Sequence, residues 1–207
     1  MSPLTDLSAR PRLRRRFADA CFDEACLLLT LDGQPVELER RPLLLLALLA
    51  LLEEIRRRLG PRHPLTLQVE SELAVRLGNG QHAGQAMPLA RETVALTQQV
   101  YGADHILTQE RRFNLAQVLV EATHIDEAVP ILIDVRRRLL AITGTETDLS
   151  ANVADALAMA HLFVGKHAES LPLLQIVLDY SMRTRGETSD MARDAMSNMA
   201  RAMRYLA

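Results

Sequence analysis

The 207-residue chain has no tryptophan, and aromatic residues make up only 3% of it. Its core must therefore be built from aliphatic side chains, and the abundance of Leu, Ala and Arg favours packed helices. Charge of one sign is also missing. With 24 basic and 26 acidic residues the formal net charge is -2, which provides no global attraction to nucleic acid or to a membrane surface. Long apolar runs are lacking too. The longest, Leu43–Leu52, has ten residues flanked by Arg40-Arg41 and Glu53-Glu54. A spanning helix needs about 20, and the run lies too far from Met1 to be a signal-peptide core. The expectation is a soluble, unexported, cytoplasmic protein with no membrane partner. Cysteine is scarce: Cys21 and Cys26 are five apart, a spacing that fits neither a CxxC redox pair nor a metal half-site, so free thiols in a reducing compartment are expected.

What is present is periodicity. Leu59-Gly60, Tyr101-Gly102, Thr143-Gly144 and Arg185-Gly186 recur every 42 residues. Leu73-Ala74, Leu115-Ala116, Leu157-Ala158 and Met199-Ala200 keep the same register, as do Pro88, Pro130 and Pro172, and Ala86, Ala128 and Ser170. A fixed period of this size signals a stacked array, because one unit alone cannot bury its apolar face. Each period reads as two helices. Leu65, Val69, Leu73 and Leu77 have helical spacing, Asn79-Gly80 breaks it, and Ala86, Met87, Ala90 and Val94 start a second stripe that ends at Gly102. Glycine there permits a left-handed cap. The recurring proline is expected near the start of the second helix, where a missing N–H is tolerated.

The segments LGPRHPLTLQ, YGADHILTQE, FNLAQVLVEATHIDEAVPIL and LFVGKHAESLPLL resemble the tetratricopeptide (TPR) repeats of the kinesin-light-chain type. That family has an LGxxHPxTL opening, an NLA core in its first helix and a GxYxEAxPL entry to the second. The resemblance spans about 59–207. Ile106 replaces the proline in the second unit, and TGTETDLSA and RGETSDMAR lack the histidine as well. The resemblance implies an all-α fold, a right-handed solenoid of antiparallel helix pairs whose fourth unit is a single capping helix. It also implies a concave groove lined by the first helix of each pair. The corresponding positions are Gln68, Ser71, Glu72 and Val75; Glu110, Phe113, Asn114 and Gln117; Asn152, Asp155, Ala156 and Met159; and Asp194, Ser197, Asn198 and Arg201. Asn114 and Asn198 fall on the family's asparagine before the Leu-Ala pair, where an amide can both donate to and accept from a peptide backbone. Glu72 and Ala156 interrupt that ladder.

The N-terminal stretch RFADACFDEACLLLTLDGQPVELERRPLLLLALLA, residues 16–50, is similar to the start of an OmpR/PhoB-type winged-helix domain: short antiparallel strands, then a first helix. Leu27, Leu29 and Leu31 alternate, Asp32-Gly33 suits a hairpin turn, and Val36 and Leu38 alternate in the return strand. The recognition helix and wing that would read DNA are missing, because LLEEIRRRLG leads straight into the repeat. The expected organisation is a basic tail and small β-hairpin over 1–40, then the helical array over 41–207. Five arginines crowd the start: Arg10, Arg12, Arg14, Arg15 and Arg16. They read as a solvated tail or, alternatively, as a phosphate-binding arm.

No catalytic or cofactor motif stands out. His63 and His105, and His82 and His124, are each 42 residues apart, so the repeat accounts for them without a metal site. His161 and His167 are six apart, not at the i, i+4 spacing of helix-borne ligands. The Arg56–Arg58 and Arg136–Arg138 triplets read as solvated helix faces in preference to phosphate sites. The expected function is a non-catalytic scaffold with a protein or peptide partner in its groove, no cofactor and no metal. A DNA-binding regulator using Arg12, Arg14, Arg15 and Arg16 is the alternative, and self-association through an uncovered end is a further kind of partnership.

Overall fold

The computed structural model describes residues 14–17, 20–23, 28–31, 34–36, 40–79 and 83–206, with the backbone alone for the strands and for 40–48, 50 and 83. Arg12, Cys26, the Asp32-Gly33 turn, Gly80 and His82 lie outside the described residues. The chain packs as two compact units, 1–60 and 61–207.

The first unit carries β1 (Arg14–Phe17), β2 (Ala20–Asp23), β3 (Leu28–Leu31) and β4 (Gln34–Val36), followed by α1 (Arg40–Leu59). The strands form one antiparallel sheet in chain order, with Arg16 opposite Cys21, Phe22 opposite Leu29, and Leu29 opposite Val36. The last turn of α1 is basic, which suits the negative end of the helix dipole. Hydrogen bonds from Arg57 and Arg58 to Glu54 lower that carboxyl to about 2.

The second unit has seven helices: α2 (Pro64–Gly78), α3 (Ala83–Tyr101), α4 (Ile106–Glu121), α5 (Ile125–Thr143), α6 (Asp148–Phe163), α7 (His167–Arg185) and α8 (Asp190–Leu206). Their starts keep the 42-residue period: 64, 106, 148 and 190, and 83, 125 and 167. Repetition of the caps explains the first of these series. His63 and His105 each accept a hydrogen bond through Nδ1 from the backbone N–H two residues on, at 3.2 Å. Thr147 does the same work in a reciprocal capping box with Ser150, and at Ser189 the side chain accepts from Ala192 at 3.4 Å. Four side chains in one register thus satisfy the first-turn donors of α2, α4, α6 and α8. Two histidines of the repeat are helix caps.

The second helices α3, α5 and α7 stop before Gly102, Gly144 and Gly186, all with positive φ, as expected of a residue without a Cβ. The recurring proline departs from its expected place. Pro88, Pro130 and Pro172 lie inside their helices, five residues past the first one. Each is exposed, as are Gly84, Asp126 and Ala168 four residues before, so water can hydrate the carbonyl that proline leaves without a partner.

Packing follows from size matching. Ala154 of α6 and Ala195 of α8 enclose Val177 of α7, and Ala158 and Ala202 enclose Leu174. Consecutive helices pack along the whole array. In addition α2 packs on α4, and α4 on α6, whereas contacts among α3, α5 and α7 are slight at most. The first helices therefore lie on the inner side of the curve. At the α2–α4 approach a Cβ on Gly78 would sit 3.2 Å from Val118 Cγ2, so this glycine keeps the two helices close. Among the described residues no helix is long and apolar enough to cross a membrane.

One turn carries strain. Thr123, between α4 and α5, has φ 63°, while Gly165 at the same repeat position has φ 77°. A β-branched residue in this region costs about 1–2 kcal/mol relative to glycine, partly offset by the unfolded-chain entropy of glycine. Thr123→Gly should therefore stabilise the protein by about 1 kcal/mol in urea denaturation; no gain would show that the turn is unstrained.

Candidate functional site

Side chains from α2, α4 and α6 converge on a groove of about 610 Å³. Its lining is ordered by the repeat. Val75, Gln117 and Met159 occupy one position in three successive units, Asn79, Glu121 and Phe163 a second, and Phe113 and Asp155 a third. Asn152, Ala156, Val120 and Thr123 complete it. A neighbouring hollow of about 400 Å³ shares Met159 and Phe163 and adds Leu162, Gly165, His167, Arg201 and Tyr205. Arg201 and Tyr205 of α8 sit one period after Met159 and Phe163, so the two hollows continue the same columns across the array.

Seven of the groove positions expected from the sequence are brought together here: Val75, Phe113, Gln117, Asn152, Asp155, Ala156 and Met159. Arg201 lines the second hollow. Gln68, Ser71, Glu72, Glu110, Asn114, Asp194, Ser197 and Asn198 line neither. The asparagines are engaged within the array: Asn114 Nδ2 donates to Ser71 Oγ at 2.8 Å, and Asn198 Nδ2 lies 3.2 Å from Met159 Sδ. Each amide thus ties one first helix to the preceding one. Phe113 is both core and lining, with only 7% of its surface exposed. The residues not anticipated are the column Asn79, Glu121 and Phe163, with Tyr205 beyond it. One more helical turn added to Val75, Gln117 and Met159 would have found them.

The arginine triplets are paired. Asp134 accepts from Arg112 at 2.7 Å, from Arg138 at 2.9 Å and from Arg137. Arg138 also reaches Asp104, and Arg136 pairs with Glu146. Partial burial pushes the Asp134 carboxyl up, but three guanidinium hydrogen bonds outweigh it and hold the group far below the usual carboxylate range. The groove is electrostatically different. Glu72 pairs with Arg76 and Glu110 with Arg111, but Glu121, Asp155 and Asp194 have no cation paired with them among the described residues. Burial, and then the nearby charge of Asp194, push the Asp155 carboxyl up. Asp194 of α8 thus lies within electrostatic range of Asp155 of α6. Among the described residues no cluster of His, Cys, Asp and Glu is arranged to hold a metal ion.

No known family's sequence profile matches the chain, and no curated protein matches it in sequence. Solved structures do match in shape. The TPR-like repeats of a Podosopora anserina kinesin light chain superpose with a TM-score of 0.63 at 20% identity, over 78% of this chain and 77% of that one. A variant form of those repeats gives 0.65 at 20% identity, over 78% and 76%. BtubC (BKLC) from P. vanneervenii gives 0.66 at 21% identity, over 77% of this chain and 64% of that one. The helical array has a TPR-like fold of the kinesin-light-chain kind.

Asp155 gives the groove a measurable signature. Its folded-state pKa is raised, so ionisation costs stability, and that cost grows as pH rises through the raised value. Asp155→Asn should raise the melting temperature at pH 7 by about 2–4 °C, with the gain shrinking toward pH 4, where the carboxyl in both states takes up its proton. A gain independent of pH would refute the upward shift of the Asp155 carboxyl.

Proposed function

We propose that the helical array is a non-catalytic scaffold that holds an extended segment of a partner protein or peptide in its groove. One observation carries this reading: the groove is lined by the same repeat positions from successive units. An extended backbone repeats every few residues, so a periodic wall of amide, acid and apolar side chains suits it better than it suits a compact small molecule. The TPR-like fold is consistent with such a role. The end of α1, one period before the end of α3, supports counting α1 as the second helix of a leading repeat and the array as starting near residue 41.

The test is to pan a random peptide library on the full chain and titrate the selected peptides against Gln117→Ala and Asn152→Ala. Loss of a groove contact is expected to weaken binding at least about tenfold, equivalent to ~1.4 kcal/mol. Undiminished binding by both variants would remove the groove reading.

A regulatory origin has its own support in the N-terminal unit, where a four-stranded antiparallel sheet precedes α1, as at the start of a winged-helix domain. After α1 the chain enters α2 of the array, in place of a recognition helix and wing. We therefore take the sheet as a remnant and expect no DNA binding at physiological salt in fluorescence anisotropy with a mixed-sequence duplex. Micromolar binding at low salt that collapses as salt rises, and that falls when Arg12 and Arg14–Arg16 become Ala, would establish the DNA reading instead.

A further inference from the structure

We propose that the groove selects an extended peptide in which a basic side chain meets Asp155 and Asp194 while an aliphatic or aromatic side chain, three or four residues along, enters the hollow between Phe163 and Tyr205. This rests on the groove reading and adds the chemistry of the partner. Three observations support it independently.

The first is charge. Along the inner helices the groove columns carry the acids Glu72, Glu110, Glu121, Asp155 and Asp194 and one cation, Arg201. The two acids nearest the start of the array are neutralised by Arg76 and Arg111. Those that keep an uncompensated charge lie along α4, α6 and α8. Asp155 lines the groove, half-buried and with no cation paired to it among the described residues, so it gains most from an incoming cation, which would supply the counter-charge it lacks beside nearby Asp194. Arg201 does not compete for this position, since seven residues, about 10 Å of helix, separate it from Asp194.

The second is apolar exposure. Phe163 and Tyr205 are the most exposed large apolar side chains among the described residues, at 67% and 70%. They are one period apart and line the same hollow with Met159 and Leu162. Tyr205 is held against His167 with ring centroids 4.5 Å apart and planes 6° from parallel, so one wall is already fixed before a ligand arrives. Fixed aromatic walls around a hollow suit an inserted side chain.

The third is spacing. Asp155 and Phe163 are eight residues apart on one helix, about 12 Å along its axis. An extended peptide covers that distance in about three or four residues. The charge site and the apolar site are therefore within reach of one short segment.

The test uses the full chain and an immobilised array of nine-residue peptides in a Ser/Gly background. Each peptide carries one Arg and one Leu or Trp at every spacing, and a matched set carries Glu in place of Arg. The Arg peptides should bind, best at a spacing of three or four, and at least tenfold more tightly than the Glu set. Asp155→Asn with Asp194→Asn should remove the Arg preference, and Phe163→Ala should weaken every apolar peptide. Both acids can be changed without loss of a partner in the fold, and thermal melts of each variant check that it remains folded. Equal or tighter binding of the Glu set overturns the proposal. If those Glu peptides still lose affinity in Gln117→Ala, the groove reading survives without it. Binding of no peptide, or binding that no groove variant alters, overturns the proposal, and the latter result removes the groove reading as well.

Discussion

Small side chains at the points where helices meet are the constraint on which the array depends. Ala74, Ala116 and Ala158 on the inner helices, and Ala86, Ala128 and Ser170 on the outer ones, are all buried. Each allows a larger neighbour to fill the space between adjacent helices, as Leu174 does between Ala158 and Ala202. Close packing of this kind, dense as an organic crystal, fixes the helix spacing and with it the register of everything on the helix surfaces. The groove columns are ordered because the packing columns beneath them are.

The inner and outer surfaces treat charge in opposite ways. On the outer helices, acids and arginines bridge one another: Arg91 of α3 to Glu127 of α5, and Asp134 of α5 to Arg138 on the same helix and to Arg112 of the adjoining α4. Exposed pairs of this type contribute little individually, although a shared partner such as Asp134 makes them a network. On the inner helices Glu72 and Glu110 are paired, but among the described residues Glu121, Asp155 and Asp194 are left without a cation, at a cost in stability for half-buried Asp155. Charge is settled internally where the array holds itself together and left open where the groove faces outward.

Much of this was legible in the residues. The 42-residue recurrence of Gly60, Gly102, Gly144 and Gly186 marked the helix ends, and the buried Leu-Ala pairs marked the inner helices. The prolines misled, because a sequence does not show which carbonyls water can reach. His63 and His105 were understood as belonging to the repeat, but their capping role depends on the rotamer that brings Nδ1 to a backbone N–H. The ties of Asn114 to Ser71 and of Asp134 to Arg112 join different helices, which no local pattern reveals. The column Asn79, Glu121, Phe163 and Tyr205 was missed for a different reason. Its members share a repeat position one helical turn beyond Val75, Gln117 and Met159, but no single residue type runs through all four to mark it.

That last feature bears on how such a surface can change over time. Packing columns are monotonous and groove columns are diverse, yet both ride on the same helices, with different residues of each turn. Stability and recognition are thus written in separate letters of one text. Exchange of a whole 42-residue unit would rewrite several groove positions together while leaving the grammar of packing intact, and an added unit would lengthen the message without altering its neighbours. In an array built this way, new specificity comes by editing words, with no need to redesign the fold that carries them.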